Sequence, residues 1–177
     1  MLEFIQNFFR RRCLRNNASG QPTGITPLSQ LHSAVTFIDV EDTTFDKCKA
    51  SILSFYRDND IKGEIFFFDF RKLGDGERLI TSITTTVLKK DLNWFGKPQK
   101  EKVDLMLNSK PDVFISLLDK TNFSLQYMAV CSKAKFKIGR QQLPGNIFDM
   151  VISDPKDRQL SQAESFEAIK EYLNKIQ

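Results

Sequence analysis

The sequence predicts an α/β fold: a three-layer, Rossmann-like, mostly parallel sheet in a single domain, with one antiparallel strand and a basic helix in front. Three observations carry this. Short apolar runs alternate with longer stretches of helical periodicity, the signature of strands separated by helices. Several runs, among them Phe66-Phe67-Phe68 and Val113 to Leu118, are apolar at successive positions, which suits strands covered on both faces. Pro111 to Gly139 reads as strand, helix, strand within 29 residues, the unit a parallel pair requires.

In chain order, residues 1–15 form a helix with Phe4, Ile5, Phe8 and Phe9 on one stripe, followed by Arg10, Arg11, Arg12 and Arg15. Residues 16–30 are rich in Asn, Ser, Gly, Thr and Pro and read as a linker. Residues 31–177 form the Rossmann-like domain. Ala34 to Val40 is its first strand, and Phe45, Cys48, Ile52 and Phe55 give the buried face of a helix. Ile61 to Phe70 is the second strand. Lys72 to Arg78 is a turn, with Asp75-Gly76 as a hairpin signal, and the β-branched stretch Leu79 to Leu88 is a strand. So short a connection leaves no room for a crossover, so this strand is expected antiparallel to the second.

Lys89 to Pro98 is a loop, and Gln99 to Leu107 a short helix. Val113 to Leu118 is a buried strand, and Thr121 or Asn122 caps a helix bearing Leu125, Met128 and Cys131. Lys133 and Lys135 lie near that helix's end, where cations suit its dipole. Phe136 and Ile138 alternate with lysines in the next strand, Arg140 to Asn146 is a loop, and Ile147 to Ser153 is the last strand. Ser161 and Glu164 match a capping box at the start of a helix that buries Phe166, Ile169, Leu173 and Ile176.

Composition removes several chemistries. His32 is the only histidine, so a His-rich metal site is excluded, and the three cysteines are too scattered for a disulfide framework or a zinc knuckle. There is no phosphate-binding glycine loop and no nucleophile elbow. Where a dinucleotide fingerprint would stand, Asp39-Val-Glu-Asp42 is acidic; it could hold Mg²⁺, or simply cap a helix. Catalytic residues, metal ligands and cofactors are therefore not expected. Of the net charge of +4, the first fifteen residues carry +3, leaving a nearly neutral body without a nucleic-acid footprint. No apolar run approaches the roughly 20 residues of a membrane span. A chain without a secretory leader and with buried thiols is expected in the cytoplasm.

Two surfaces stand out as candidates. Asp91, Asn93, Trp94 and Lys97, with Gly139 and Arg140, would line a small-ligand site at strand ends, the cations taking an anion and the indole stacking on a ring. Phe4, Phe8 and Phe9 with Arg10, Arg11 and Arg12 form a basic amphipathic helix. It can pack on its own domain, join a second copy or a protein partner, or lie on an anionic membrane at the inner face.

The segment from Asp112 through Ser124-Leu125 to Ser132-Lys133-Ala134-Lys135 and Gly139 resembles the N-terminal domain of heptosyltransferase-type glycosyltransferases. That resemblance implies the fold rather than the activity, because a second domain for the nucleotide-sugar donor has no room in 177 residues. Over nearly its whole length the chain resembles a family of small proteins of unknown function from Bacteroidetes-type bacteria. The basic N-terminal helix, KDLNWFGKP at Lys90 to Pro98, the run from Asp112 to Leu118, and SKAKFKIG at Ser132 to Gly139 carry the likeness. The function expected is a non-enzymatic binding or interaction module, with the strand-end site and the membrane-docked helix as alternatives.

Overall fold

The computed structural model describes residues 2–72 and 80–176. Six parallel strands form one sheet: β1 (Ser33–Asp39), β2 (Lys62–Asp69), β3 (Thr86–Leu88), β4 (Val113–Ser116), β5 (Phe136–Gly139) and β6 (Met150–Val151), in the spatial order β3-β2-β1-β4-β5-β6. The chain starts at the centre, runs out to one edge, then crosses β1 and runs out to the other. This is the doubly wound order of Rossmann-like sheets, and its switch point lies between β1 and β4.

Among the described residues five α-helices accompany the sheet: α1 (Leu2–Asn17), α2 (Phe45–Asp58), α3 (Lys100–Asn108), α4 (Phe123–Cys131) and α5 (Gln162–Leu173). The strands' period of two sorts side chains between two cores. Ala34, Ile38, Phe67, Ile115 and Ile138 face α2 and α5, which meet through Phe55 and Phe166 with ring centroids 5.8 Å apart. Phe37, Phe66, Phe68 and Phe114 face the opposite side, where Met106 of α3 and Leu125 and Met128 of α4 cover them. Phe66, Phe67 and Phe68 thus serve both layers in turn, as a strand buried on two faces requires. Asn122 caps α4, its side chain accepting from Leu125 N–H, and Ser161 and Glu164 complete the capping box of α5.

One strand departs from expectation. β3 runs parallel to β2, pairing Phe67 with Thr86 and Asp69 with Leu88. Pairing begins only at Thr86, so residues 70–85 are all available for the crossover. Of the β-branched residues just before it, Thr85 meets the ladder only through its C=O, which accepts from Phe67 N–H at 2.9 Å. Thr86 Oγ1 donates to Ser82 O and meets Thr81 Oγ1 at 2.7 Å, so the hydroxyls satisfy local groups that a ladder would otherwise engage. The Asp75-Gly76 turn lies outside the described residues. The last strand is also shorter than its apolar run. Gln142 clamps Phe148 with its side-chain amide, accepting from Phe148 N–H at 3.0 Å and donating to Phe148 O at 2.9 Å, so the ladder forms only beyond it.

The lysine at the end of α4 is not one of the two nearest in sequence. Buried Lys137 on β5 reaches back to donate to Ala129 O at 2.7 Å, meeting the helix's negative pole from below. Burial pushes its ammonium pKa down, partly offset by the Asp149 carboxylate. Lys135 pairs instead with Asp112, at 2.9 Å.

Candidate functional site

The carboxyl ends of the strands are where a doubly wound sheet offers a ligand crevice. Here the switch point is filled by the protein's own groups. Gln162, the first residue of α5, holds the main chain of Asp39 at both its N–H and its C=O. Asp42 accepts from Thr44 N–H at 2.8 Å and from Gln162 N–H at 3.2 Å, so it ties the turn after β1 to the start of α5. Two small hollows remain, of about 70 and 100 Å³, bordered by Asp39, Glu41 and Asp119. Burial raises the Asp39 pKa, and the neighbouring Glu41 and Asp119 charges push it further up against the Glu41 N–H. These hollows are small beside the roughly 300–1,000 Å³ of small-molecule sites, and their charge disfavours a phosphate. Among the described residues no group of three or more His, Cys, Asp or Glu side chains is arranged to hold a metal ion.

The six strand-end candidates have separate surroundings. Arg140 is buried and donates to Leu117 O and Leu160 O, with Asp154 at 3.4 Å, so it staples the loops after β4 and β6; its Nε has no partner among the described residues. Gly139 lies under Phe148, whose ring would be 2.4 Å from a Cβ at that position. Asp91 is buried and accepts from Leu88 N–H at 2.9 Å. Asn93 closes a tight turn by accepting from Phe95 N–H and Lys97 N–H, and Gly96 takes the positive φ of 92° that the turn requires. Lys97 sits over the Tyr127 ring, 5.1 Å from its centroid. Trp94 projects from this turn and is 54 % exposed.

The turn is the dock of α1. Gln6 donates to Trp94 O at 3.1 Å, and Arg10 Nε donates to Phe95 O at 2.7 Å. The Phe9 ring meets Trp94 edge-on at 5.4 Å, and the Arg10 guanidinium lies 5.2 Å from the Phe123 ring centroid. Asp91, Asn93 and Gly96 therefore shape the turn, and Trp94 and Phe95 receive the helix.

Packing of the N-terminal helix on its own domain is realised only in part. No residue of α1 is fully buried. Its inner side offers Gln6, Arg10, Cys13 and Leu14, while Leu2, Phe4, Ile5, Phe8 and Phe9 remain exposed. Helical spacing of three and four puts Phe4, Phe8, Arg11, Arg12 and Arg15 along one outer ridge, apolar at its start and basic at its end. None of the ion pairs among the described residues involves an arginine of α1, whereas Arg57, Arg71, Arg140 and Arg158 of the body each face a carboxylate.

Between α1 and α4 runs an open cleft of about 580 Å³, bordered by Asn7, Arg10 and Arg11 on one side and by Asn122, Gln126 and Pro144 on the other. Sequence reasoning singled out its arginines but not the wall facing them. That wall faces the arginines only because α1 folds back across α4, and no local pattern encodes the meeting.

No curated protein and no solved structure matches the chain. The model of a family of unknown function, DUF6913, matches residues 3–176, and the chain belongs to that family.

Proposed function

We propose that the protein is a non-enzymatic Rossmann-like interaction module that docks on an anionic lipid surface through the outer ridge of α1 and Trp94. The carrying observation is the surface itself. Phe4 is 79 % exposed, Phe8 56 % and Trp94 54 %, beside three exposed arginines without carboxylate partners among the described residues. An amphipathic helix that segregates aromatic and cationic groups suits the boundary of an acidic bilayer, with rings among the acyl chains and guanidiniums at the headgroups. The filled switch point supports the non-enzymatic half of the reading.

Magnitudes say that both components are needed. Each basic residue near an anionic leaflet contributes about 1 kcal/mol, so Arg11, Arg12 and Arg15 together supply roughly 3 kcal/mol. That alone gives weak, salt-sensitive attachment. Inserting Phe4 and Phe8 adds an apolar term of comparable size, about 1.5–3 kcal/mol for each ring fully withdrawn from water. The reading puts the protein in the cytoplasm, at the inner membrane face.

Flotation of the full chain with phosphatidylcholine–phosphatidylserine vesicles tests this. Binding should be lost with neutral phosphatidylcholine vesicles, in high salt, and in the Phe4→Ser/Phe8→Ser variant, whose melting temperature should stay near that of the parent. No binding to the acidic vesicles would overturn the reading. So would a parent dimer in light scattering that the double variant makes monomeric, because the occupant of the ridge would then be a second copy.

A further inference from the structure

We propose that the cleft between α1 and α4 is a binding site for a phosphate monoester, either a soluble ester or a lipid headgroup. The lipid source rests on the membrane reading above; the soluble source does not.

The cleft's volume of about 580 Å³ falls within the range of small-molecule sites, roughly 300–1,000 Å³. Its composition selects an anion. Two guanidiniums, Arg10 and Arg11, enter it from α1, amide side chains line both walls, and no carboxylate borders it. Acidic residues make up 22 of the 177 in the chain, and in both switch-point hollows they outnumber the bordering cations, Lys120 and Arg140, so the cleft and the hollows are opposite in charge.

Arg10 is already oriented. Its Nε is fixed on Phe95 O at 2.7 Å and its plane lies over the Phe123 ring, while its terminal amino groups have no acceptor among the described residues. A guanidinium held by one edge and by its face keeps the remaining donors for a ligand, with less ordering cost on binding. Arg11 is exposed and has no carboxylate partner among the described residues. Two adjacent guanidiniums suit a doubly charged group with several oxygens better than a lone carboxylate, which would leave one cation uncompensated. Gln126 Nε2 donates to Pro144 O at 3.1 Å, which leaves its Oε1, with the Asn7 amide, for the hydroxyls of the esterified alcohol. Arg12 and Arg15 do not border the cleft, so they serve as internal controls of equal charge.

The experiment titrates the full chain with glycerol 3-phosphate at low ionic strength, following side-chain Nε–H and amide resonances by NMR. Saturable shifts are expected at Arg10, Arg11 and Gln126. Arg11→Gln, a substitution of an exposed side chain, should weaken affinity about tenfold, the scale of one charge-assisted contact, whereas Arg12→Gln/Arg15→Gln should change it by less than about twofold. Equal weakening by both variants, or a linear response without saturation, overturns the proposal.

In a parallel arm, vesicles carrying phosphatidic acid are compared with vesicles carrying phosphatidylserine at equal surface charge. A preference for phosphatidic acid that Arg11→Gln removes identifies the headgroup as the source. Saturation by glycerol 3-phosphate without that preference supports the soluble ester. Vesicle binding without saturation overturns the cleft and leaves the membrane reading standing. Saturation without vesicle binding does the reverse.

Discussion

The side-chain amide of Gln162 forms both of its hydrogen bonds with the main chain of Asp39: Oε1 accepts from Asp39 N–H at 3.0 Å, and Nε2 donates to Asp39 O at 2.9 Å. The last residue of the central strand is thereby sealed by the first residue of the last helix, and Gln162 itself is fully buried. Gln162→Ala leaves a partly buried donor and acceptor unsatisfied, which costs about 1–3 kcal/mol each, moderated where water enters the space vacated. The expected loss is about 3 kcal/mol in urea unfolding at neutral pH. Gln162→Glu should recover little, because a carboxylate cannot donate to Asp39 O and adds charge beside Glu41 and Asp119. Wild-type stability in the alanine variant would show that the clamp contributes nothing.

Asp112 gives the fold a predictable acid limb. Its carboxylate accepts from His32 N–H, Ser33 N–H and Ser33 Oγ at 3.0–3.1 Å and from the Lys135 ammonium at 2.9 Å. Burial pushes its pKa up, but the lysine and these donors outweigh burial and hold it below the usual carboxylate range. The unfolded chain therefore takes up the proton first. The stabilisation is whole above the unfolded value, near pH 4, and is lost as pH falls through the folded one. Asp112→Asn should lower stability by about 2 kcal/mol at pH 7 and make unfolding less steep below about pH 4. Parallel pH–stability curves for parent and variant would refute this.

Thiol labelling should separate the three cysteines. Burial pushes the Cys48 thiol up to about 12, reinforced by the Asp42 carboxylate, and burial likewise raises Cys131. Cys13 is raised by burial too, with Lys97 pulling the other way, and it is the only one of the three partly exposed. Because the thiolate is the reacting form, a disulfide reagent at about pH 8 should modify Cys13 slowly in the native protein and reach Cys48 and Cys131 only on unfolding. Labelling of Cys48 in the native protein at the rate of a free thiol would contradict the packing described.

The parts of the fold legible in the sequence are those written in local periodicity. The strand at Val113, the α4 cap at one of Thr121 and Asn122, and the Ser161–Glu164 box follow from a continuous apolar run and capping chemistry alone. The direction of β3 was not legible, because β-branched composition marks Leu79 to Leu88 as strand while the hydroxyls of Thr81, Ser82, Thr84 and Thr86 bond locally. At the candidate sites the rarity of Trp94 and the arginine cluster were visible. Their meeting was not, since Phe9 and Trp94 touch across most of the first half of the chain. Lys97 and Arg140 looked alike as cations, but one lies on an aromatic ring and the other is buried among carbonyls.

The parallel sheet also constrains the order in which the chain can be built. The central strand pairs on one side with β2, Ser33 against Lys62, and on the other with β4, Ala34 against Val113. Among the described residues no strand is paired with its sequence neighbour through a tight hairpin, so each pairing waits for a long loop to close, and contact order is high. While the chain is emerging from the ribosome, β1 is available long before β4 exists. Until then its second edge, with Val35 and Phe37 beside it, stands unpaired and sticky, a natural target for a holding chaperone during synthesis.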